Sequence, residues 1–379
     1  MIYLDNSATT QPDPSVLESF QKVSRAYFAN SSSIHRFGGE TEKLLLEAKS
    51  QVAHILNVEQ DEVIFTSGGT EGNNLAIKGI AFEHMNRGKH IITTKVEHPS
   101  VFEACRSLES FGFDITYLPV NQDGIVSVED VAEAIREDTI LISIMHVNNE
   151  MGAIQPIESI GEIAKQHPKL FFHVDDVQGV GKVPLHLSNS GIDLCTMSGH
   201  KINGLKGTGV LYVKKGTALF PLFHGGNQEQ GIRPGTENLA GAVAMAKALR
   251  LIKAREANDL PSLQDKQKRL IKGLDKIPNV CVNTPARSAP HIVNFSVPGF
   301  KPEVLIHMLG EKDIFVSTKS ACSSKETDAS RILLACGHHK ERASSALRIS
   351  LSYDTTDEDI AIFLKQVEQS IQQLKEVME

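Results

Sequence analysis

Cysteine is scarce and scattered in this 379-residue chain: Cys105, Cys195, Cys281, Cys322 and Cys336 are too few and too far apart for a disulfide framework. No run of about 18 apolar residues is present to cross a bilayer. The first five residues, Met1 to Asp5, offer neither a basic nor an apolar leader. Together these absences predict a cytoplasmic protein kept in a reducing compartment. Basic charge is also in short supply: 39 Lys and Arg against 46 Asp and Glu leave a formal charge of −7. That balance keeps a chain soluble but gives no general attraction to nucleic acid or anionic membranes, so neither is expected as a direct partner. Repeats and low-complexity tracts are missing, as are G-x-G-x-x-G, G-x-x-x-x-G-K-[ST], H-E-x-x-H, G-x-S-x-G and C-x-x-C. Hydride transfer on a dinucleotide, P-loop phosphoryl transfer and zinc or serine hydrolysis therefore lose support.

What is there reads as an ordinary globular protein, with 41% hydrophobic and 22% charged residues, 28 Gly and 15 Pro. At about 150 residues per domain the length predicts two or three domains. Residues 63–213 alternate short β-branched runs with helical patterns. Strands are predicted at Val63–Thr66, His90–Thr94, Asp114–Leu118, Ile140–His146, Leu170–Asp175, Leu194–Ser198 and Gly209–Val213. Several are apolar on both sides, as in strands covered by helices on each face. The pattern predicts an α/β fold: a large domain with a mainly parallel seven-stranded sheet, plus a smaller α/β domain. In such folds ligands bind beyond the carboxyl ends of the strands. After Gly235 the texture changes to long helices over 239–274. A second βαβ-like unit is predicted to follow, with strands near 291–297, 314–316 and 347–351, helices over 302–309 and 329–336, and a terminal helix from Thr356. The expected division is 13–250 for the large domain, with 1–12 and 251–379 forming the small one.

Three strand-end segments converge on one cofactor. Thr66-Ser67-Gly68-Gly69-Thr70-Glu71 lies between a strand and a helix, where small residues and a helix N-terminus suit a phosphate; read alone, it serves equally as a Gly-rich turn with Thr70 as N-cap. Asp175, in Phe172-His173-Val174-Asp175-Asp176-Val177-Gln178, ends an apolar strand where an unpaired carboxylate is costly. A protonated pyridine nitrogen would pair with it, although capping of the next element accounts for it as well. Lys201, in Ser198-Gly199-His200-Lys201, can form a Schiff base; taken singly, a loop lysine is usually a solvated charge. In this order and spacing the three segments supply the phosphate cradle, ring partner and lysine of a pyridoxal phosphate enzyme.

With their neighbours, these segments resemble the cysteine desulfurases of the NifS/IscS type, in the fold-type I pyridoxal phosphate superfamily. The resemblance runs through Tyr3-Leu4-Asp5-Asn6-Ser7-Ala8-Thr9-Thr10, Asn30-Ser31-Ser32-Ser33-Ile34-His35 and Val96-Glu97-His98. It continues through His146-Val147-Asn148-Asn149-Glu150-Met151-Gly152, Arg233-Pro234-Gly235-Thr236-Glu237-Asn238, Ser320-Ala321-Cys322-Ser323-Ser324 and Leu347-Arg348-Ile349-Ser350-Leu351. It implies that Lys201 holds the cofactor, Asp175 pairs with the pyridine nitrogen, Gln178 bonds the ring hydroxyl and His98 lies over the ring. Gly69, Thr70, Ser198 and His200 would hold the phosphate. Thr236 would reach the phosphate of a neighbouring subunit, which implies a homodimer. Asn149 would contact the cofactor or substrate, and Arg348 would hold the substrate carboxylate with Asn149.

Cys322 decides the reaction that the resemblance implies, L-cysteine to L-alanine with sulfur passed to Cys322 as a persulfide. It lies in Ser317–Ser330, a polar stretch whose composition suits a mobile loop rather than core. Cys105 and Cys195 fall in apolar patterns and read as inert packing groups. Cys281 has no activating neighbour, and Cys336-Gly337-His338-His339 reads as a helix C-cap ahead of a metal site. Departures from the family pattern stand at Ser31, Asp176, Val177, Gln230 and Ser352. Asp176 is expected to point away from the ring. The end at Glu379 lacks the longer tail with which housekeeping members dock an iron–sulfur scaffold. The expected acceptor is accordingly a sulfurtransferase for tRNA thiolation or thiamine synthesis, with the scaffold for iron–sulfur cluster assembly as runner-up. Competing readings are a selenocysteine lyase or cysteine β-lyase of the same fold, an inactive partner-binding platform and an aminotransferase; the last gives Cys322 no task.

Overall fold

A computed structural model describes residues 1–318 and 329–378. Seven strands form the large sheet, in the order Val63–Thr66, Gly209–Val213, Leu194–Ser198, Phe171–Asp175, Thr139–Met145, His90–Thr94 and Asp114–Leu118. Six run in one direction and Gly209–Val213 alone opposes them. Strands His90–Thr94, Thr139–Met145, Leu194–Ser198 and Gly209–Val213 are buried from end to end, which explains why their sequences show no strict apolar–polar alternation. Five of the six like-directed strands end in the same cavity-lining layer. After them come Gly69, His98, Asn149, Asp175 with Gln178, and Ser198 with Lys201.

Helix Gly69–His84 crosses the sheet closely, because Gly72 leaves no side chain between them: a Cβ there would stand 2.7 Å from Thr196 Cγ2. One 36-residue helix, Leu239–Leu274, runs on through residue 250 and packs on helices Pro14–Ala26 and Arg36–Leu56. Its Pro261 sits inside the helix.

The second unit departs from the βαβ pattern expected for it. Its sheet is antiparallel, with Ile292–Ser296 between Ala346–Ser350 and Cys281–Val282. The short strand Ile314–Phe315 does not join it; it pairs in parallel with Ile2–Tyr3 instead. Strands of five residues or fewer, buried along their length, carry no mark of direction, so the sequence pattern could not distinguish the two arrangements. The N-terminal segment is stitched into this unit. Asp5 bridges Ser350, and Asn6 Nδ2 donates to the Ser350 carbonyl at 2.9 Å. That stitching brings residues 5–8 up against the end of the large sheet.

Candidate active site

A cavity of about 290 Å³ opens where the large sheet meets the second unit. Among its lining residues are Gly69, Thr70, His98, Asn149, Asp175, Gln178, Ser198, His200, Lys201 and Arg348. Every site residue expected from the sequence is therefore here except two. Thr236 is exposed and does not line this cavity. Cys322 lies outside the described residues.

Strand Phe171–Asp175 ends by delivering Asp175 to the floor, 5% exposed. Burial pushes its carboxyl above the ordinary range, while the Val177 N–H, the Asn73 amide and the Lys201 charge pull it back. The N–H of Val177 donates to Oδ1 at 3.0 Å and Asn73 Nδ2 to Oδ2 at 2.7 Å. Asp176, as expected, faces the other way, and its Oδ1 meets His146 Nδ1 at 2.6 Å. Gln178 Nε2 donates to the Ser7 carbonyl at 3.0 Å.

Strand Leu194–Ser198 runs into a short 3₁₀ turn, Gly199–Lys201. Lys201 Nζ donates to the carbonyls of Ser7 and Ala8 at 2.5 and 2.7 Å. Lys182, buried below, donates from Nζ to the Lys201 carbonyl at 3.0 Å, and burial pushes its amine down to about 8. His200 and His98 are both held neutral. Desolvation and then the Lys201 charge push each down to about 4.

At the far side Arg348, 1% exposed, donates from Nη2 to Asp5 Oδ1 at 2.9 Å and from Nη1 to the Asn149 carbonyl at 2.9 Å. Its Nε has no partner among the described residues. Burial lifts the Asp5 carboxyl and the guanidinium lowers it again.

The residues present fit pyridoxal phosphate at both of its ends. Helix Gly69–His84 starts at the cavity, and its N-cap is Gly68, so the turn begins earlier than a Thr70 cap would have it. A Cβ on Gly69 would come within 2.9 Å of Val177 Cγ2, and Ser198 Oγ beside it is buried without a partner among the described residues. Backbone N–H groups at a helix start, a free hydroxyl and a cradle cleared of side chains are the donor set for a phosphate. A buried carboxylate raised by desolvation is the partner a protonated ring nitrogen needs.

Sequence reasoning missed Asn73, Ser100 and the pairing of Asp5 with Arg348. Asn73 follows Gly69 and Thr70 by one helical turn, so helical spacing already sets it on the face of the phosphate cradle. Nothing local marks Ser100 or Asp5. The remaining cysteines behave as read: Cys105 and Cys195 are fully buried, with thiols pushed well up, and burial raises Cys336 to about 12.

Comparison with known proteins agrees with this geometry. The family described as aminotransferase class-V matches residues 2–363. The cysteine desulfurase IscS of Dictyoglomus turgidum is 43% identical over 378 residues, covering 99% of this chain and 96% of that protein. A solved NifS-like protein superposes with a TM-score of 0.92 at 35% identity, covering 98% of this chain and 99% of that one. SspA, solved in complex with cysteine, gives a TM-score of 0.83 at 34% identity, with 93% and 99% covered. Matched in sequence and backbone over nearly its whole length, the chain belongs to the aminotransferase class-V family of pyridoxal-phosphate-dependent enzymes, in its NifS/IscS-like group.

Proposed function

We propose that this protein is a cysteine desulfurase that converts L-cysteine to L-alanine and passes the sulfur through a persulfide on Cys322. The observation that carries the reading is one cavity uniting Lys201, Asp175, His98 and Arg348, in a chain with IscS-like relatives and a neighbour solved with cysteine. Lys201, Gln178, Asp175 and His98 are assigned to the cofactor, with Gly69, Thr70, Ser198 and His200 at its phosphate. When bound, pyridoxal phosphate supplies an electron sink that acidifies the substrate Cα.

Arg348 holds the substrate carboxylate, with Asn149 beside it and Asp5 fixing the guanidinium. Lys201, released from the cofactor, takes the Cα proton as a free amine. The Cys322 thiolate then attacks the substrate sulfur. An S–S bond forms as the C–S bond breaks, and the electron pair stays on the carbon skeleton, which gains a proton at Cβ, recovers the one held by Lys201 at Cα and leaves as L-alanine. No external oxidant or reductant enters. His98, neutral at working pH, is the acid/base next to the reacting sulfur. The exposed Thr236 serves the phosphate site of a second copy, so the enzyme acts as a homodimer. The sulfur passes to an acceptor protein, a sulfurtransferase of tRNA thiolation or thiamine synthesis or the scaffold of iron–sulfur cluster assembly, and a pull-down with the persulfide-loaded protein tells which.

The test is the visible spectrum of the purified protein followed by L-cysteine turnover, with alanine and protein-bound persulfide measured beside Cys322→Ala. A visible band, with persulfide abolished in the variant, is the expected result. A colourless protein, or persulfide formation that survives loss of Cys322, overturns the reading.

A further inference from the structure

We infer that Asn73 and Ser100 form a positioning relay that fixes the ring proton of His98 on Nε2 and ties that histidine to the carboxylate of Asp175. The inference rests on the proposed reading, in which His98 works as the acid/base.

The geometry assigns each hydrogen in turn. Asn73 Nδ2 has two hydrogens and two acceptors, Asp175 Oδ2 at 2.7 Å and Ser100 Oγ at 2.9 Å. Turning the amide over would set Oδ1 against a carboxylate oxygen, acceptor against acceptor, so Asp175 dictates the orientation. Ser100 Oγ receives one hydrogen from Asn73, which leaves its own for His98 Nδ1, 2.7 Å away. The Ser100 backbone N–H reaches the same nitrogen at 3.2 Å, because His98 is the N-cap of helix Pro99–Glu109. A ring nitrogen that accepts from two donors carries no proton, so the one ring proton belongs to Nε2.

Ring protonation would have to occur on Nδ1. It would turn the Ser100 hydroxyl aside and deprive the backbone N–H of its acceptor. The charges facing His98 act in the same direction: Lys201 from the 3₁₀ turn, Arg331 from helix Arg331–Ala335 and Arg348 from strand Ala346–Ser350 are all positive. Asp175, a negative charge, is joined to His98 through Asn73 and Ser100. The relay thus couples the group assigned to the ring nitrogen with the group assigned to the substrate sulfur.

Nitrogen-15 spectra of histidine-labelled holoenzyme test this, with the His98 signals assigned by their loss in His98→Gln. The wild type is expected to show bare Nδ1 and protonated Nε2 across the working range. Ser100→Ala should move the His98 titration, and with it the acid limb of the kcat profile, up by about one pH unit, the worth of one hydrogen bond. KM should stay within about twofold while kcat below that limb falls about tenfold. Ser100→Thr, which keeps the hydroxyl, should restore both, and Asn73→Ala should shift the titration as Ser100→Ala does. A His98 titration unmoved in Ser100→Ala, or equal loss in the Ala and Thr variants at every pH, overturns the relay. Full activity in His98→Gln instead overturns the acid/base reading beneath it, so the two failures are distinct.

Discussion

The cavity has two walls of different construction. On the sheet side, Gly69, His98, Asp175 and Lys201 each lie at or just after the end of a strand in one parallel set. On the other side Arg348 meets Asp5 across 343 positions of chain, and it is positioned by an antiparallel sheet and a stitched N-terminal segment. The sheet wall offers unfilled donors, such as Ser198 Oγ and the helix start at Gly69. The far wall offers a guanidinium already two-thirds engaged, on Asp5 and the Asn149 carbonyl, with Nε left over. Under the proposed function, the first wall seats the cofactor and the second holds the substrate carboxylate. A parallel sheet provides a row of loop sites at no extra cost in topology; selectivity for the bound molecule is added by a separate unit.

Substitution on the sheet wall is expected to have the largest effect. Lys201→Ala should remove the visible band and lower kcat roughly 10⁴-fold or more, since it deletes both the covalent anchor and the base; spectrum and alanine assay check this together. Arg348→Lys breaks the far wall alone. The band should persist while kcat/KM for L-cysteine drops about 10²-fold, mainly through KM, as bidentate capture becomes a single contact; steady-state kinetics separates the two. If the variant instead loses the band, the walls are not independent.

The smallest effect on turnover is expected behind the sheet wall, at Glu97. It is fully buried, accepting at Oε1 from Thr94 Oγ1 at 2.7 Å and from the Met145 N–H at 3.2 Å, and burial lifts its carboxyl from 4.5 to about 8. Between those values the folded protein holds a proton that the unfolded chain has released. Stability therefore falls as pH rises from about 4.5 through 8. Glu97→Gln, an isostere of the protonated acid, should lose that slope and melt above the wild type at pH 8, with little difference near pH 5. Thermal melts across this range check it; a wild-type slope retained in the variant refutes the assignment.

On the sheet wall Gly69, Asp175 and Lys201 were legible in the sequence because each sits at a strand end whose local composition suits its chemistry, whereas His98 came from the resemblance. Strand limits moved by a residue at most in places such as Thr139–Met145 and Phe171–Asp175. Arg348, Asn149 and Gln178 were found through resemblance and not through periodicity. The pairings of Asn73 with Asp175, Asn73 with Ser100 and Asp5 with Arg348 escaped because they span 102, 27 and 343 positions, distances that no local pattern encodes. The antiparallel order of the second sheet was hidden for the same reason, since Ile292–Ser296 pairs with the distant Ala346–Ser350.

The stitching of the N-terminal segment also bears on the timing of synthesis. Residues 5–8 leave the ribosome ahead of their docking surface, since Asn6 precedes Ser350 by 344 positions and stays unpaired with it until Ala346–Ser350 has followed. A nascent chain thus carries Lys201 and Asp175 well before it carries Arg348. During that interval the carbonyls of Ser7 and Ala8 lack the support of the second sheet that sets them against the Lys201 amine. Closing so long a loop is slow and entropically costly. The large sheet can thus be complete, with Asp175 and Lys201 in place, before the wall that carries Arg348 has been made.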